Sequence, residues 1–380
     1  MTMTRVQVLR KIKDSVLAAC RSILCVTFIL SGFAKLIDPM GTFYKLSEYL
    51  LSLGFGNFLP PSIVIIFCAV SLAVFEFASG MFLLFRVDRR GVMILLSLFM
   101  LAMTPLTFYL ALYNPIADCG CFGDIIHLSN WQTFTKNVIL LICALSCTIW
   151  GRQGLKSNNT SGYWMIRLYT IVFAIILAIV SLRTLPAIDV MPYRIGSHIL
   201  EDEGTYTFSV VDTSIGDDRT EEILAEGYSL LLISDNLCEA DDSEMDRINT
   251  LATYAQTKGM RMAMLTATED SMVIASWCDM TGAEYPVWWS DETTLRTMVR
   301  SNPGLLLLKD GVVTAKWSHY DIPELGPTSF QLTPEQQPWT VMHKPILPFE
   351  LLKLALWFNI PLCLLLLFIR KRRQNSAAKA

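Results

Sequence analysis

The sequence is short of charge. Only 17% of its 380 residues are Asp, Glu, Lys or Arg, against about 25% in an ordinary soluble domain. It also lacks a positive excess: the formal net charge is −3, which argues against a basic nucleic-acid-binding surface. Its ten cysteines are too few and too scattered for a disulfide framework, and no two of them form a Cys-x-x-Cys pair. Most lie inside apolar runs, where a thiol behaves as a small hydrophobe.

What the chain has instead is apolar residues in long blocks, 53% of the total with a mean hydropathy of +0.43. A helix needs about 20 such residues to cross a bilayer. The blocks predict six spans, at 16–37, 62–86, 91–113, 136–151, 164–185 and 349–369. Orientation follows from Lys and Arg in the short flanks. Fourteen of these residues fall in the N-terminal segment, the turns after spans two and four, and the C-terminal tail, whereas the loops 38–60 and 114–135 hold only Lys45. Both termini are therefore expected in the cytoplasm of a bacterial inner membrane. The loops 38–60, 114–135 and 186–348 are expected outside it.

Leu17-Ala18-Ala19-Cys20 has the form of a lipoprotein cleavage box. Only three residues, Ser15 to Leu17, separate it from the charged flank, whereas a signal peptide places about 7–15 apolar residues before its cut. A retained first span is the reading that fits. Within the spans, Arg21, Lys35 and Glu76 stand out, because an isolated ionised group costs about 2.5–3.5 kcal/mol at a helix centre. Arg21 and Lys35 are near the ends of their span and are expected to snorkel. Glu76 is deeper; it either pairs with one of them or relays a proton.

Residues 199–320 alternate between strand and helix patterns. Strands are predicted at 205–211, 228–234, 261–266 and 285–289, and helices near 243, over 269–281 and over 292–300. Leu305–Leu308 and Val312–Trp317 flank Asp310-Gly311 and form a hairpin. The continuous apolar run at 228–234 suits a central strand buried on both faces. From 321 to 348 six prolines mark an extended tether to the last span. The element order, with Asn302-Pro303-Gly304 before the hairpin, resembles the thioredoxin fold, in which the corresponding proline is cis and lies against the active site. The resemblance departs where a redox thioredoxin carries Cys-x-x-Cys. Here the strand-to-helix turn reads Asp235-Asn236-Leu237-Cys238-Glu239-Ala240 and has one cysteine. The carboxylates around it work against a reactive thiolate. Cys238 is thus a secondary candidate nucleophile, and the domain reads as a docking module.

The most specific local signal is Asp118-Cys119-Gly120-Cys121-Phe122-Gly123-Asp124, between spans three and four. Two cysteines one residue apart, away from a reducing cytoplasm, are suited to pairing. A disulfide closed through so small a ring is strained, and strained disulfides are the exchangeable ones. Three readings stay open: a dithiol/disulfide exchange site, a fixed clip, or a soft-metal site with His127 as the added ligand.

Around this run lie Arg21, Phe28, Ser31-Gly32, Lys35, Asp38-Pro39, Glu76, Ser129, Trp131, Thr133-Phe134 and Lys136-Asn137. Together these residues resemble the DoxX-like superfamily and, within it, the methylamine-utilisation MauE branch, over about 16–150. The resemblance implies a four-helix membrane bundle whose Cys119 and Cys121 are a redox pair serving maturation of an extracytoplasmic disulfide-containing protein. Apart from the resemblance, Glu76 is the candidate proton relay, and Asp118, Asp124 and Pro303 are candidates for shaping the site or docking a partner. Fusion to a cysteine-poor thioredoxin-like domain resembles an arrangement common in Bacteroidetes. Vitamin K epoxide reductase-like proteins also join a four-helix bundle to a thioredoxin domain, and by that analogy alone a quinone is the cofactor to consider.

The expected whole is a polytopic α-helical membrane protein with an inserted α/β domain. Its parts are a cytoplasmic start (1–15), a four-helix bundle (16–151), a fifth span (164–185), a thioredoxin-like domain (199–320), a tether (321–348), a sixth span (349–369) and a basic tail (370–380). The expected partners are membrane lipid and an extracytoplasmic protein substrate or redox partner.

Overall fold

A computed structural model of the chain describes residues 5–54, 60–87, 89–116, 119–124, 126, 128–151, 163–186, 188–199, 208–323 and 347–377. It divides into two compact units, one of residues 1–181 with 353–380 and one of residues 182–352.

The first unit is helical. It comprises α1 (Arg5–Ile37), α2 (Pro39–Ser52), α3 (Ser62–Leu84) and α4 (Arg89–Tyr113), then the short extended segment β1 (Cys121–Asp124), α5 (Asn130–Trp150), α6 (Tyr163–Arg183) and, at the end of the chain, α11 (Leu347–Ala377). Among the described residues six of these helices are long and apolar enough to cross a membrane: Lys11–Ile37, Ser62–Leu84, Arg90–Tyr113, Asn130–Trp150, Tyr163–Arg183 and Leu352–Lys371. Their outer faces carry side chains such as Ile63 and Phe67, more than 70% exposed, as a surface solvated by lipid requires.

Two starts follow from local chemistry. Asp38 caps α2 by accepting the Gly41 N–H at 2.9 Å, with Pro39 at the first helical position. Ser129 and Gln132 form a reciprocal capping box that opens α5 at Asn130. The fourth span therefore begins six residues before the predicted Lys136.

The interior is built from α1, α3, α4 and α5 around Leu24, Phe28, Met93, Leu96, Met100, Leu140 and Ala144. Lipid tails are as apolar as leucine, so close packing rather than water expulsion holds such helices together. Glycines make the approach of α1 and α3 possible. A Cβ on Gly32 would collide with the backbone nitrogen of Phe77, and one on Gly80 would lie 2.7 Å from the backbone nitrogen of Ile29.

The second unit is α/β. Its sheet elements are β2 (Val211–Asp212), β3 (Asp217–Asp218), β4 (Tyr228–Ser234), β5 (Arg261–Thr266), β6 (Val287–Trp289), β7 (Gly304–Lys309) and β8 (Val312–Ser318). Its helices are α7 (Thr220–Leu224), α8 (Met245–Thr257), α9 (Ser271–Thr281) and α10 (Glu292–Met298). The sheet runs β3-β2-β6-β5-β4-β7-β8, with β4, β5 and β6 parallel and β7 and β8 antiparallel.

The period of two along β4 decides which core each side chain enters. Leu230 and Leu232 pack with Met245, Ile248, Leu251 and Trp277 on one face; Leu231 and Ile233 pack with Leu295, Met298 and Trp288 on the other. Each leucine so buried contributes about 1.5–3 kcal/mol. Strand β4, helix α8, parallel β5 and a closing antiparallel hairpin make the unit thioredoxin-like, and the Asn302–Pro303 bond before that hairpin is cis.

Three expectations need correction. The predicted strand at 205–211 survives only as Val211–Asp212, paired with Trp289; residues 208–210 form no strand and 205–207 lie outside the described residues. Its alternating pattern serves instead to seat Phe208 and Val210 in the second core. The loop predicted at 38–60 contains the fourteen-residue helix α2. Lys35 does not snorkel: it is 4% exposed. Most of the proline-rich tether, residues 324–346, lies outside the described residues.

Candidate functional site

The cysteine run is held at one end of the helical bundle by side chains from two helices. On α1, Ser31 and Lys35 are one turn apart and share a face. The Lys35 ammonium donates to Glu76 Oε2 of α3 at 2.6 Å, to Ser31 Oγ at 2.8 Å and to the Cys121 carbonyl at 2.8 Å. A lysine has three N–H donors, so all three have acceptors. Ser31 Oγ lies 2.6 Å from both Glu76 Oε2 and the Cys121 carbonyl, and its single proton goes to one of them.

The Lys35 and Glu76 side chains are 5% and 7% exposed. A buried charge is tolerable when it is paired and its remaining valences are satisfied, and the cysteine backbone supplies one of those valences here. The pairing of Glu76 with a span-one cation is one of the two sequence expectations for this residue. Its bonded partners, Ser31 and Lys35, connect it to the Cys121 backbone rather than to a sulfur.

α2 supports the other side of the loop. Tyr49 donates its hydroxyl to the Cys119 carbonyl at 2.7 Å. Gly120 has φ +59°, a conformation only glycine adopts cheaply, and a Cβ there would come 2.9 Å from Lys45 Cγ. Thr42, Lys45, Leu46 and Tyr49 follow one helical face toward the loop and line the same cavity. That spacing, behind the Asp38-Pro39 start, was the signal for α2 in the sequence.

Between these supports the Cys119 and Cys121 sulfurs are 3.1 Å apart, both as free thiols. They roof a cavity of about 150 Å³ that reaches into the bundle past Phe28, Phe99, Met100 and Leu140. Lys136 of α5 also lines it, with its ammonium 4.6 Å from the centre of the Phe122 ring. The Cys121 thiol is lowered to about 6, chiefly by its hydrogen bond with Cys119 and further by the charges of Lys136 and Lys35, against the opposing effects of burial and Glu76. The Cys119 thiol is pushed up by the same hydrogen bond, by burial and by the charge on Cys121. The pair thus holds one proton between two sulfurs, with the negative charge favoured on Cys121. Lys136 entered the sequence reading only within the Lys136-Asn137 pair of the resemblance; the tertiary fold turns it toward the dithiol.

Asp118 and His127 lie outside the described residues, as does the side chain of Asp124. In the second unit, Cys238 is exposed in the single helical turn Leu237–Glu239 after β4. Pro303 stands beside that turn. Asn302 Nδ2 donates to the Asn236 carbonyl at 2.8 Å, and the Asp241 N–H donates to the Asn302 carbonyl at 3.1 Å. The turn after β4 and the cis-proline segment thus meet around one sulfur.

These features define a polytopic helical membrane protein with a dithiol loop over its bundle and a thioredoxin-like insert. Residues 13–150 match the family model described as methylamine utilisation protein MauE. The match covers the dithiol loop, α2 and the helices that pack around them. No curated protein matches. Among solved structures, a solution structure of a candidate protein disulfide isomerase from Bacteroides thetaiotaomicron is similar at 14% identity and a TM-score of 0.26, covering 33% of this chain and 84% of that one. A crystal structure of an uncharacterized conserved protein from Geobacillus kaustophilus is similar at 9% identity and a TM-score of 0.26, covering 33% of this chain and 68% of that one.

Proposed function

We propose that this chain is a membrane thiol–disulfide exchange protein in which Cys119 and Cys121 trade a disulfide with a cysteine pair of an extracytoplasmic protein. The observation that carries the reading is the 3.1 Å approach of two thiols on a loop whose carbonyls are tied down by Tyr49 on one side and by Lys35 and Ser31 on the other. A fixed loop keeps both sulfurs within reach of one another through the exchange, which lowers its entropic cost.

In the oxidising direction, a partner thiolate attacks Cys119 Sγ of the Cys119–Cys121 disulfide. The S–S bond breaks and Cys121 leaves as thiolate, the better leaving group because its acidity is the higher. The partner's second thiolate then attacks its own sulfur in the mixed disulfide and releases Cys119. The partner loses two electrons and two protons and the loop gains both. The reverse sequence reduces a partner disulfide. Lys35 and Glu76 act as positioning residues for the loop. The excess of Lys and Arg in the flanks supports an inner-membrane orientation with both termini cytoplasmic and the loop and α/β domain outside.

A second reading, a static clip in a non-enzymatic assembly protein, is favoured by the same anchoring of both carbonyls. One experiment separates the two. The full chain, in lipid nanodiscs, is equilibrated over a range of glutathione redox ratios, quenched in acid and labelled with a maleimide. Exchange requires Cys119 and Cys121 to pass together from labelled to protected across that range. If they keep one state throughout, the clip is correct and exchange is wrong.

A further inference from the structure

The α/β unit carries a groove beside its lone cysteine, unrelated to the helical cavity. It lies between the turn after β4 and helix α9, has a volume of about 500 Å³, and is lined by Leu237, Cys238, Ala240, Met272, Trp277 and Met280 among others. Two properties separate it from ordinary surface. Met272 and Met280 are 77% and 72% exposed on α9, above a Trp277 that is 4% exposed. Exposed methionines beside an aromatic ring form an adaptable apolar floor, a composition enriched where proteins meet.

The rim is rich in carboxylates. Segments 235–246 and 267–284 together hold ten Asp and Glu residues and no Lys, Arg or His. Some of these pair with cations: Asp235 with Arg296, Asp241 with His319, and Glu244 with its neighbour Arg247. Among the groove-lining residues, Asp242 and Asp270 bring the negative charge to its edge.

We infer that this groove docks an extended polypeptide segment carrying both apolar and basic side chains. The methionine floor takes the apolar side chains, and the carboxylate rim selects the basic ones and repels acidic segments. This deepens the proposed function by naming the chemistry of the partner, but it stands on the groove alone and holds even if the dithiol does not exchange.

Cys238, exposed at the groove edge, supplies the readout. The full chain bearing Cys119→Ser and Cys121→Ser is placed in nanodiscs of zwitterionic lipid, which removes the proposed exchange from the assay. Three short peptides are offered, each with a central cysteine activated as a thiopyridyl disulfide. One is flanked by leucine and lysine, one by serine and lysine, and one by leucine and glutamate. The Cys238 thiolate attacks the peptide sulfur, the bond to the thiopyridyl group breaks, and thiopyridone leaves. Mass spectrometry then follows the peptide–Cys238 disulfide.

The leucine–lysine peptide is expected to label Cys238 about tenfold or more faster than the leucine–glutamate peptide, and several-fold faster than the serine–lysine peptide. The double variant Met272→Ser, Met280→Ser should bring the leucine–lysine rate down to the serine–lysine rate, while labelling by small neutral dithiodipyridine stays unchanged. Equal rates for the leucine–lysine and serine–lysine peptides on the unaltered groove would overturn the inference, since charge alone would then govern. So would equal rates for lysine and glutamate flanks. Both comparisons use the unaltered groove, so they decide the matter even if the double variant misfolds and changes its dithiodipyridine rate.

Discussion

Both units place a cysteine in a backbone turn beside a well-ordered support, but they differ in the number of sulfurs. In the helical bundle, Cys119 and Cys121 face each other at 3.1 Å, and the Cys121 carbonyl accepts from Lys35 of a buried Lys35–Glu76 pair. In the α/β domain the cis-proline framework surrounds Cys238 alone. The α/β domain has one thiol at its turn, and the helical bundle has two within reach of each other. Chemistry follows the site and not the fold that carries it.

Removing sulfurs tests this contrast with the largest effect. Cys121→Ser is expected to abolish formation of the loop disulfide and to strand partner proteins as mixed disulfides on Cys119, seen on non-reducing gels. Cys238→Ser should leave the redox equilibrium of the loop where it was. If Cys238→Ser abolished exchange instead, the roles given to the two units would have to be reversed.

The buried ion pairs sharpen the comparison further. Lys35→Met leaves the Glu76 carboxylate buried without its cation, and is expected to cost about 3–5 kcal/mol, whereas Lys35→Met with Glu76→Leu should cost far less. The α/β domain has a pair of its own, Lys316 with Asp189 at 2.8 Å, whose Asp189 side chain is 20% exposed. Burial already pulls the Lys316 amine down from its usual range, with Asp189 opposing. Asp189→Asn should therefore cost less than Lys35→Met, because Lys316 can shed its proton. Unfolding of each variant in detergent, against the unaltered chain, measures both.

The third test concerns pH. With its thiol lowered to about 6, Cys121 is mostly protonated and slow below that pH and mostly thiolate and fast above it. Its alkylation by iodoacetamide in the reduced protein should rise about tenfold from one pH unit below the midpoint to one above. Lys136→Met removes a charge that favours the thiolate, so the midpoint should move upward.

Much of the fold was legible in advance because its causes are local. The apolar blocks mark most span ends to within a few residues, but α1 begins well before 16, at Arg5, and the start of α5 is set by the Ser129–Gln132 capping box and not by hydropathy. β4 and the β7–β8 hairpin follow from apolar runs and an Asp310-Gly311 turn. The helix α2 escaped because its faces mix Thr42, Lys45 and Tyr49 with apolar residues, a polarity that reads as loop until the dithiol run is seen to lie against it. At the site, Cys119 and Cys121 were evident from spacing, while Tyr49 and Lys136 were not, since nothing near them in the chain points to a cysteine.

The sequence alone determined the number of apolar helices, the division into a membrane bundle and an α/β insert, and the presence of one close cysteine pair and one single cysteine. These depend on transfer free energy and on periodicities of two and 3.6 residues, which each segment carries within itself. Only the tertiary structure decided which charge meets Glu76. Lys35 and Arg21 are both cations of span one, but Gly32 and Gly80 let α1 and α3 approach so closely that Lys35 and Ser31 reach Glu76 and the Cys121 carbonyl together. Contacts between residues 41 to 90 positions apart are set by how helices pack, and no local pattern encodes them. The dithiol was visible in the sequence; what holds it in place was not.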